Sequence, residues 1–103
     1  MTPEKRVQNT IVDYLHKWQQ CGYPVYVERR NAGGFSYQKG IPDLYAIIDG
    51  VHLEIEVKRP GGELTIMQQK FRDRCKQLKI HWCCASCIDD IEAEVLLLLA
   101  KYL

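Results

Sequence analysis

Gly40-Ile41-Pro42-Asp43-Leu44-Tyr45-Ala46-Ile47-Ile48-Asp49-Gly50-Val51-His52-Leu53-Glu54-Ile55-Glu56-Val57-Lys58 reads as two β-rich runs around a two-residue turn. Asp-Gly is a preferred pair for a type I′ turn, in which both central residues take positive φ. The flanking runs, Leu44 to Ile48 and Val51 to Lys58, are dominated by aliphatic and β-branched residues. The hairpin this predicts pairs Ile48 with Val51. Counting outward sets Leu44 opposite Ile55 and Asp43 opposite Glu56, so register alone brings two carboxylates side by side. Alternation along the second strand puts Glu54, Glu56 and Lys58 on one face and Leu53, Ile55 and Val57 on the other.

Working outward from the hairpin, Thr2-Pro3 opens a helix, with Thr as N-cap and Pro in the first turn. Val7, Ile11, Leu15 and Trp18 form its apolar stripe, and Gly22 stops it after about Gln20. Tyr23 to Arg29 reads as a strand. Asn31-Ala32-Gly33-Gly34 begins a glycine-rich loop lasting to Pro42, long enough to suggest function. After Arg59-Pro60-Gly61-Gly62, Thr65 and Gln68 have capping-box spacing. Met67, Phe71, Cys75 and Leu78 mark a second amphipathic helix. Ile80 to Ala85 has the composition of a short buried strand. Ser86 and Asp89 suggest another cap, before a last helix over Ile91 to Tyr102. The predicted fold is α/β, ordered α-β-β-β-α-β-α, with a small mixed sheet flanked by helices. Residues 1–103 read as one domain without repeats or low-complexity segments.

Composition is that of a globular protein, 47% hydrophobic and 26% charged, which argues against disorder and fibrous structure. A net charge of +1 conceals an uneven distribution: residues 1–79 carry 13 of the 14 Lys and Arg but 9 of the 13 acids. Lys70, Arg72, Arg74, Lys76 and Lys79 fall on or just beyond the second helix, opposed only by Asp73. Such a face can attract a polyanion although the whole chain is near neutral; a solvated helix surface explains the charge run equally well. Five cysteines with no recognisable signal peptide suggest a reducing, cytoplasmic setting. The aliphatic run Val95 to Ala100 is far shorter than the ~20 residues of a membrane span.

Three charges on one face of an inner strand are costly to bury without partners. Two adjacent carboxylates repel unless a cation lies between them, and a hard divalent ion suits all-oxygen ligands. Lys58, on the same face as Glu56, could orient an attacking water or offset charge on a phosphorane-like transition state. A surface ladder of carboxylates and lysine is the plain alternative.

Pro42-Asp43 followed by Glu56-x-Lys58 resembles the PD-(D/E)xK nuclease motif of the restriction-endonuclease-like core. More narrowly, Lys39-Gly40-Ile41-Pro42-Asp43-Leu44, Glu56-Val57-Lys58-Arg59-Pro60-Gly61-Gly62 and Thr65-x-x-Gln68 resemble the virus-type replication-repair nuclease (VRR-NUC) domain in its stand-alone, phage-like form. The resemblance spans essentially the whole chain. It implies a Mg²⁺- or Mn²⁺-dependent, structure-selective DNA endonuclease. Asp43, Glu56, the Val57 backbone carbonyl and Glu4 would be the metal ligands, Lys58 the catalytic lysine, and Gln68 a further catalytic residue that the capping box alone could also explain. Glu54 has no role in the resemblance.

Arg29, Arg30 and Lys39 around the loop, Arg59 beside the site, and Lys70 and Arg74 on the basic helix are the candidate phosphate contacts. Phe35 and Tyr37 could stack on exposed bases. The resemblance implies four-way (Holliday) junctions as the leading substrate, and two symmetric cuts then call for a homodimer, with Val95 to Leu99 or exchanged elements as the candidate interface. A flap- or nick-directed endonuclease is the alternative within the class. Outside it stand a non-catalytic DNA-binding module and a zinc or thiol site at Cys84-x-x-Cys87, with Cys83 and His81 nearby.

Overall fold

A computed structural model describes residues 1–30 and 39–103; the glycine-rich stretch from Asn31, with Phe35 and Tyr37, lies outside the described residues. Helix α1 (Pro3–Gln20) begins where expected, the Thr2 hydroxyl accepting the Lys5 N–H at 3.1 Å. It buries Ile11 and Leu15 completely, with Val7 and Trp18 packed at the margin of the core. Strand β1 (Val25–Arg29) starts two residues later than predicted. Pro24 has no N–H for a ladder, although its carbonyl accepts the Asp49 N–H.

Strands β2 (Leu44–Ile48) and β3 (Val51–Val57) form the expected hairpin, and the register runs from Ile48↔Val51 to Leu44↔Ile55 as counted from the sequence. Asp49 and Gly50 both have positive φ, as a type I′ turn requires. Strand β1 pairs antiparallel with β2, whereas β4 (His81–Ala85) pairs parallel with β3. The parallel step needs a crossover, which helix α2 (Ile66–Gln77) supplies. The result is one mixed sheet in the order β1-β2-β3-β4.

The alternation of the hairpin divides the molecule into two unequal layers. One sheet face carries Val25, Val27, Leu44, Ala46, Ile48, Leu53, Ile55, Val57 and Ala85. It packs against Ile11 and Leu15 of α1 and Ile91, Val95 and Leu99 of the C-terminal region. Cys75 of α2 is buried outside this cluster, within electrostatic reach of Glu54 on the opposite face. Of the stripe predicted for α2, only Cys75 is buried, while Met67 and Leu78 are exposed. Strand β4 is a half-exposed edge strand rather than a buried one, only Ala85 being fully covered.

The last helix differs from expectation at both ends. Helix α3 spans Asp89–Leu98, and a separate 3₁₀ turn follows at Ala100–Tyr102. Asp90, not Asp89, reaches back to accept the Ser86 N–H at 2.8 Å. The chain tightens after α3 and is tied to the hairpin turn, Tyr102 and Lys101 both holding the Asp49 carboxylate, at 2.7 and 3.0 Å. Val95 and Leu99 are fully buried in the chain's own core and cannot form a dimer face; Leu96 and Leu97 are the residues this stretch exposes.

Gly40 fixes the approach to β2. Its φ is +87°, and a Cβ there would stand 2.4 Å from the Met67 carbonyl oxygen in the first turn of α2. Gly61 shares a positive φ (+78°) but faces open space. Gly40→Ala should therefore cost roughly 2–4 kcal/mol, combining backbone strain with a clash against main chain. Gly61→Ala should cost about 1–2 kcal/mol from strain alone. Urea unfolding of both variants measures the difference, and equal losses would contradict the close approach.

Candidate active site

Glu56 lies in the inner strand β3, on the face away from the main core, and is only 4% exposed. Its Oε1 is buried without a hydrogen-bond partner among the described residues. Burial pushes the carboxyl up to about 7; Lys58 opposes that rise, and the negative charges of Asp43 and Glu4 add to it. The charges that act on Glu56 are thus those of the hairpin candidates Asp43 and Lys58 and of Glu4, the residue the family resemblance implied.

The members come from α1, the lead-in to β2, and the end of β3. Asp43 immediately precedes β2, where its carbonyl accepts the Arg30 N–H at 2.7 Å. Lys58 follows β3, and its own N–H is held by the Ala85 carbonyl at 3.0 Å. Its ammonium, mostly buried, lies 3.9 Å from Glu4 Oε1 in the first turn of α1. Glu4 and Asp43 line a polar cleft of about 290 Å³ with Thr2, Lys5, Gln8 and Val57.

Glu54, two residues before Glu56 on the same face, meets a different environment. Arg30 grips it with two parallel hydrogen bonds of 2.6 Å, and His52 Nε2 approaches at 2.5 Å. The same Arg30 Nη1 also donates to the Pro42 carbonyl at 2.8 Å. Its guanidinium lies 4.8 Å above the Tyr45 ring, which stacks on His52. Sequence reasoning required partners for a buried charged row but did not identify Arg30 as one. The available signal was an arginine just after β1 and an acid with no assigned role.

The remaining candidates divide. Lys39, Lys70 and Arg74 line one cleft of about 300 Å³, with Met67 and Phe71 as apolar surface and Asp73 as its acid. Volume does not distinguish this basic cleft from the acidic one; the charge of the lining does. Arg59 is exposed next to Lys58. Arg30 is committed to Glu54 and Pro42 rather than free for phosphate, and Arg29 is held by Gln8 and Asn9 of α1. Gln68 completes the predicted capping box, its Oε1 accepting the Thr65 N–H at 2.9 Å. Cys84 and Cys87 are exposed, the Cys83 thiol is pushed up to about 12 by burial, and His81 Nδ1 lies 2.7 Å from Glu94.

Neither a family model nor a curated protein matches the sequence. Among solved structures, one titled "VRR_NUC domain" matches with a TM-score of 0.73 at 18% identity, covering 99% of this chain and 98% of that one. The chain therefore has the VRR-NUC fold, the fold class that the hairpin and its flanking blocks implied. At this identity the likeness defines architecture, and the chemistry rests on the residues.

Those residues suit a hard cation. A buried carboxylate oxygen without a partner, two neighbouring carboxylates and an all-oxygen donor set match Mg²⁺ or Mn²⁺ far better than a soft metal. Among the described residues no three His, Cys, Asp or Glu side chains are already gathered as a metal cluster. A bound cation would bring these carboxylates together against their mutual repulsion, beyond what Lys58 alone offsets.

The raised Glu56 carboxyl has a definite sign for stability. The native state retains a proton that the unfolded chain has released, so metal-free stability should fall as pH rises from about 4.5 through about 7, then level off. The full loss is roughly 3 kcal/mol at most. Glu56→Gln should flatten that fall and raise the melting temperature in chelator at pH 8. Thermal unfolding at pH 5 and pH 8 checks this, and an unchanged pH slope in the variant would contradict it.

Proposed function

We propose that this chain is a divalent-metal-dependent endodeoxyribonuclease that cuts branched DNA, with four-way junctions as substrate and a homodimer as the active form. The single observation that carries this reading is Glu56, a buried carboxylate with a free oxygen beside Asp43, Glu4 and Lys58 on a VRR-NUC fold. A solvent-facing ladder would leave the whole row hydrated; here Glu56 and Lys58 are buried, while Asp43 and Glu4 stand exposed at the mouth of the cleft.

In this reading Asp43, Glu56, the Val57 carbonyl and Glu4 hold Mg²⁺ or Mn²⁺. When bound, the ion supplies Lewis-acid polarisation of a phosphate and a more acidic water. Lys58 donates to a phosphate oxygen or the attacking water and offsets charge in the transition state, an effect strengthened by its burial. Lys39, Lys70 and Arg74 bind flanking phosphates in the basic cleft, with Arg59 beside the cut. Such contacts position DNA without reading its sequence. Residues 1–103 serve as one nuclease domain. The five free cysteines fit a reducing, cytoplasmic compartment, and no helix among the described residues is long and apolar enough to cross a membrane.

The deciding experiment offers four-way junction, flap, nicked and linear duplex DNA in Mg²⁺ or Mn²⁺. Asp43→Ala should abolish cleavage, and Lys58→Ala should slow it on the order of 10²–10³-fold. Variants that cut like wild type would defeat the nuclease reading. Preference for the flap or the nick would replace the junction as substrate. A monomeric sedimentation mass with junction cleavage intact would remove the dimer. Lys70→Ala and Arg74→Ala should each weaken binding similarly for all sequences and lower the salt slope by about 1.

A further inference from the structure

Resting on the proposed metal site, we infer that Glu54 and Arg30 form a positioning clamp that sets the Asp43 carboxylate against Glu56. Arg30 holds the Pro42-Asp43 segment twice. Its backbone N–H binds the Asp43 carbonyl at 2.7 Å, and its Nη1 binds the Pro42 carbonyl at 2.8 Å. The same guanidinium is fixed on Glu54 by two bonds of 2.6 Å and lies over Tyr45, whose ring stacks on His52.

Glu54 and Glu56 belong to one rigid inner strand and are separated by one residue on the same face. A connection from Glu54 through Arg30 to Pro42 therefore ties the lead-in of β2 to the strand that bears Glu56. The paired ladder ends at Leu44↔Ile55, so Asp43 and Glu56 lie one step beyond it. Main-chain pairing between β2 and β3 stops short of Asp43; the Arg30 backbone bond holds its carbonyl from the other side, and the clamp adds the side-chain hold on Pro42. Pro42, fully buried with its constrained φ, transmits the restraint to the next residue. Gly40 against Met67 secures the other end of the segment.

A bidentate Arg–carboxylate pair suits this job because it specifies direction as well as proximity. Lysine would keep the charge but could not serve both Glu54 oxygens and the Pro42 carbonyl in the same planar geometry. Glu54 does not enter the acidic cleft, whose carboxylate lining comes from Glu4 and Asp43. It acts through Arg30 and is a positioning residue, not a catalytic one.

The test is Mn²⁺ binding followed by electron paramagnetic resonance of the free ion, with circular dichroism confirming the fold. Glu54→Gln and Arg30→Lys should each weaken Mn²⁺ binding roughly 10- to 100-fold, the range for groups that orient metal ligands. The paired apolar variant Arg30→Met with Glu54→Leu removes both charges together and leaves no buried ion unpartnered. It should lose Mn²⁺ affinity to the same extent even if the single variants fail to fold. In an Asp43→Asn background, Glu54→Gln should add less than a twofold loss, a dependence that general loosening of the fold would not produce. Wild-type affinity in any folded clamp variant, or an undiminished effect in the Asp43→Asn background, overturns the clamp. A wild type that binds no Mn²⁺ removes the metal site and the clamp together, whereas normal wild-type binding with unaffected variants removes the clamp alone.

Discussion

The enclosed charged face of β3 is the constraint on which the site depends. Period-two alternation makes Glu54, Glu56 and Lys58 the counterpart of the apolar row Leu53, Ile55 and Val57, and all six are buried. The apolar row contributes to a continuous core. The charged row receives three unequal treatments. Glu54 is paired with Arg30 and approached by His52, Lys58 has Glu4 at 3.9 Å, and Glu56 keeps a buried oxygen without a partner among the described residues. A buried carboxylate oxygen without a protein partner is costly, and such groups concentrate where a protein binds or reacts.

The rest of the fold holds that face closed. The type I′ turn sets the register, and Tyr102 and Lys101 hold its Asp49 from the C-terminal end. Gly40 allows the lead-in to β2 to touch the backbone of α2. The capping box starts α2 at Ile66, just beyond Thr65. Each device is local, but together they determine how far Asp43, Lys58 and Glu4 stand from Glu56.

What the sequence disclosed follows the range of the interaction. The hairpin register, the Thr2 cap and the Thr65–Gln68 box depend on residues a few positions apart, and the structure reproduces them. The Arg30–Glu54 pair joins residues 24 apart across β2, and no local pattern names such a partner. The burial of Val95 and Leu99 likewise depends on the core they enter, since an aliphatic helix reads the same whether it faces its own sheet or another copy. The basic residues were legible as charge but not as destination. Lys39, Lys70 and Arg74 converge on a cleft, while Arg29 and Arg30 turn inward to side chains of α1 and β3.

Gln68 shows how a structural and a chemical role can share one side chain. Its Oε1 is occupied by the Thr65 N–H, and the Gln68 N–H is occupied by the Thr65 hydroxyl at 3.2 Å. That reciprocal pair fixes the side chain at the start of α2, in the turn whose Met67 carbonyl abuts Gly40. An amide has two donors on nitrogen as well as its acceptor oxygen, so the cap leaves donation as the main capacity of Gln68. A contact with a phosphate oxygen would be one in which it donates, while its oxygen keeps one lone pair beyond the cap. In the proposed reading it would therefore orient an oxygen and not take its proton, because a neutral amide has no useful basicity whether or not its oxygen is engaged.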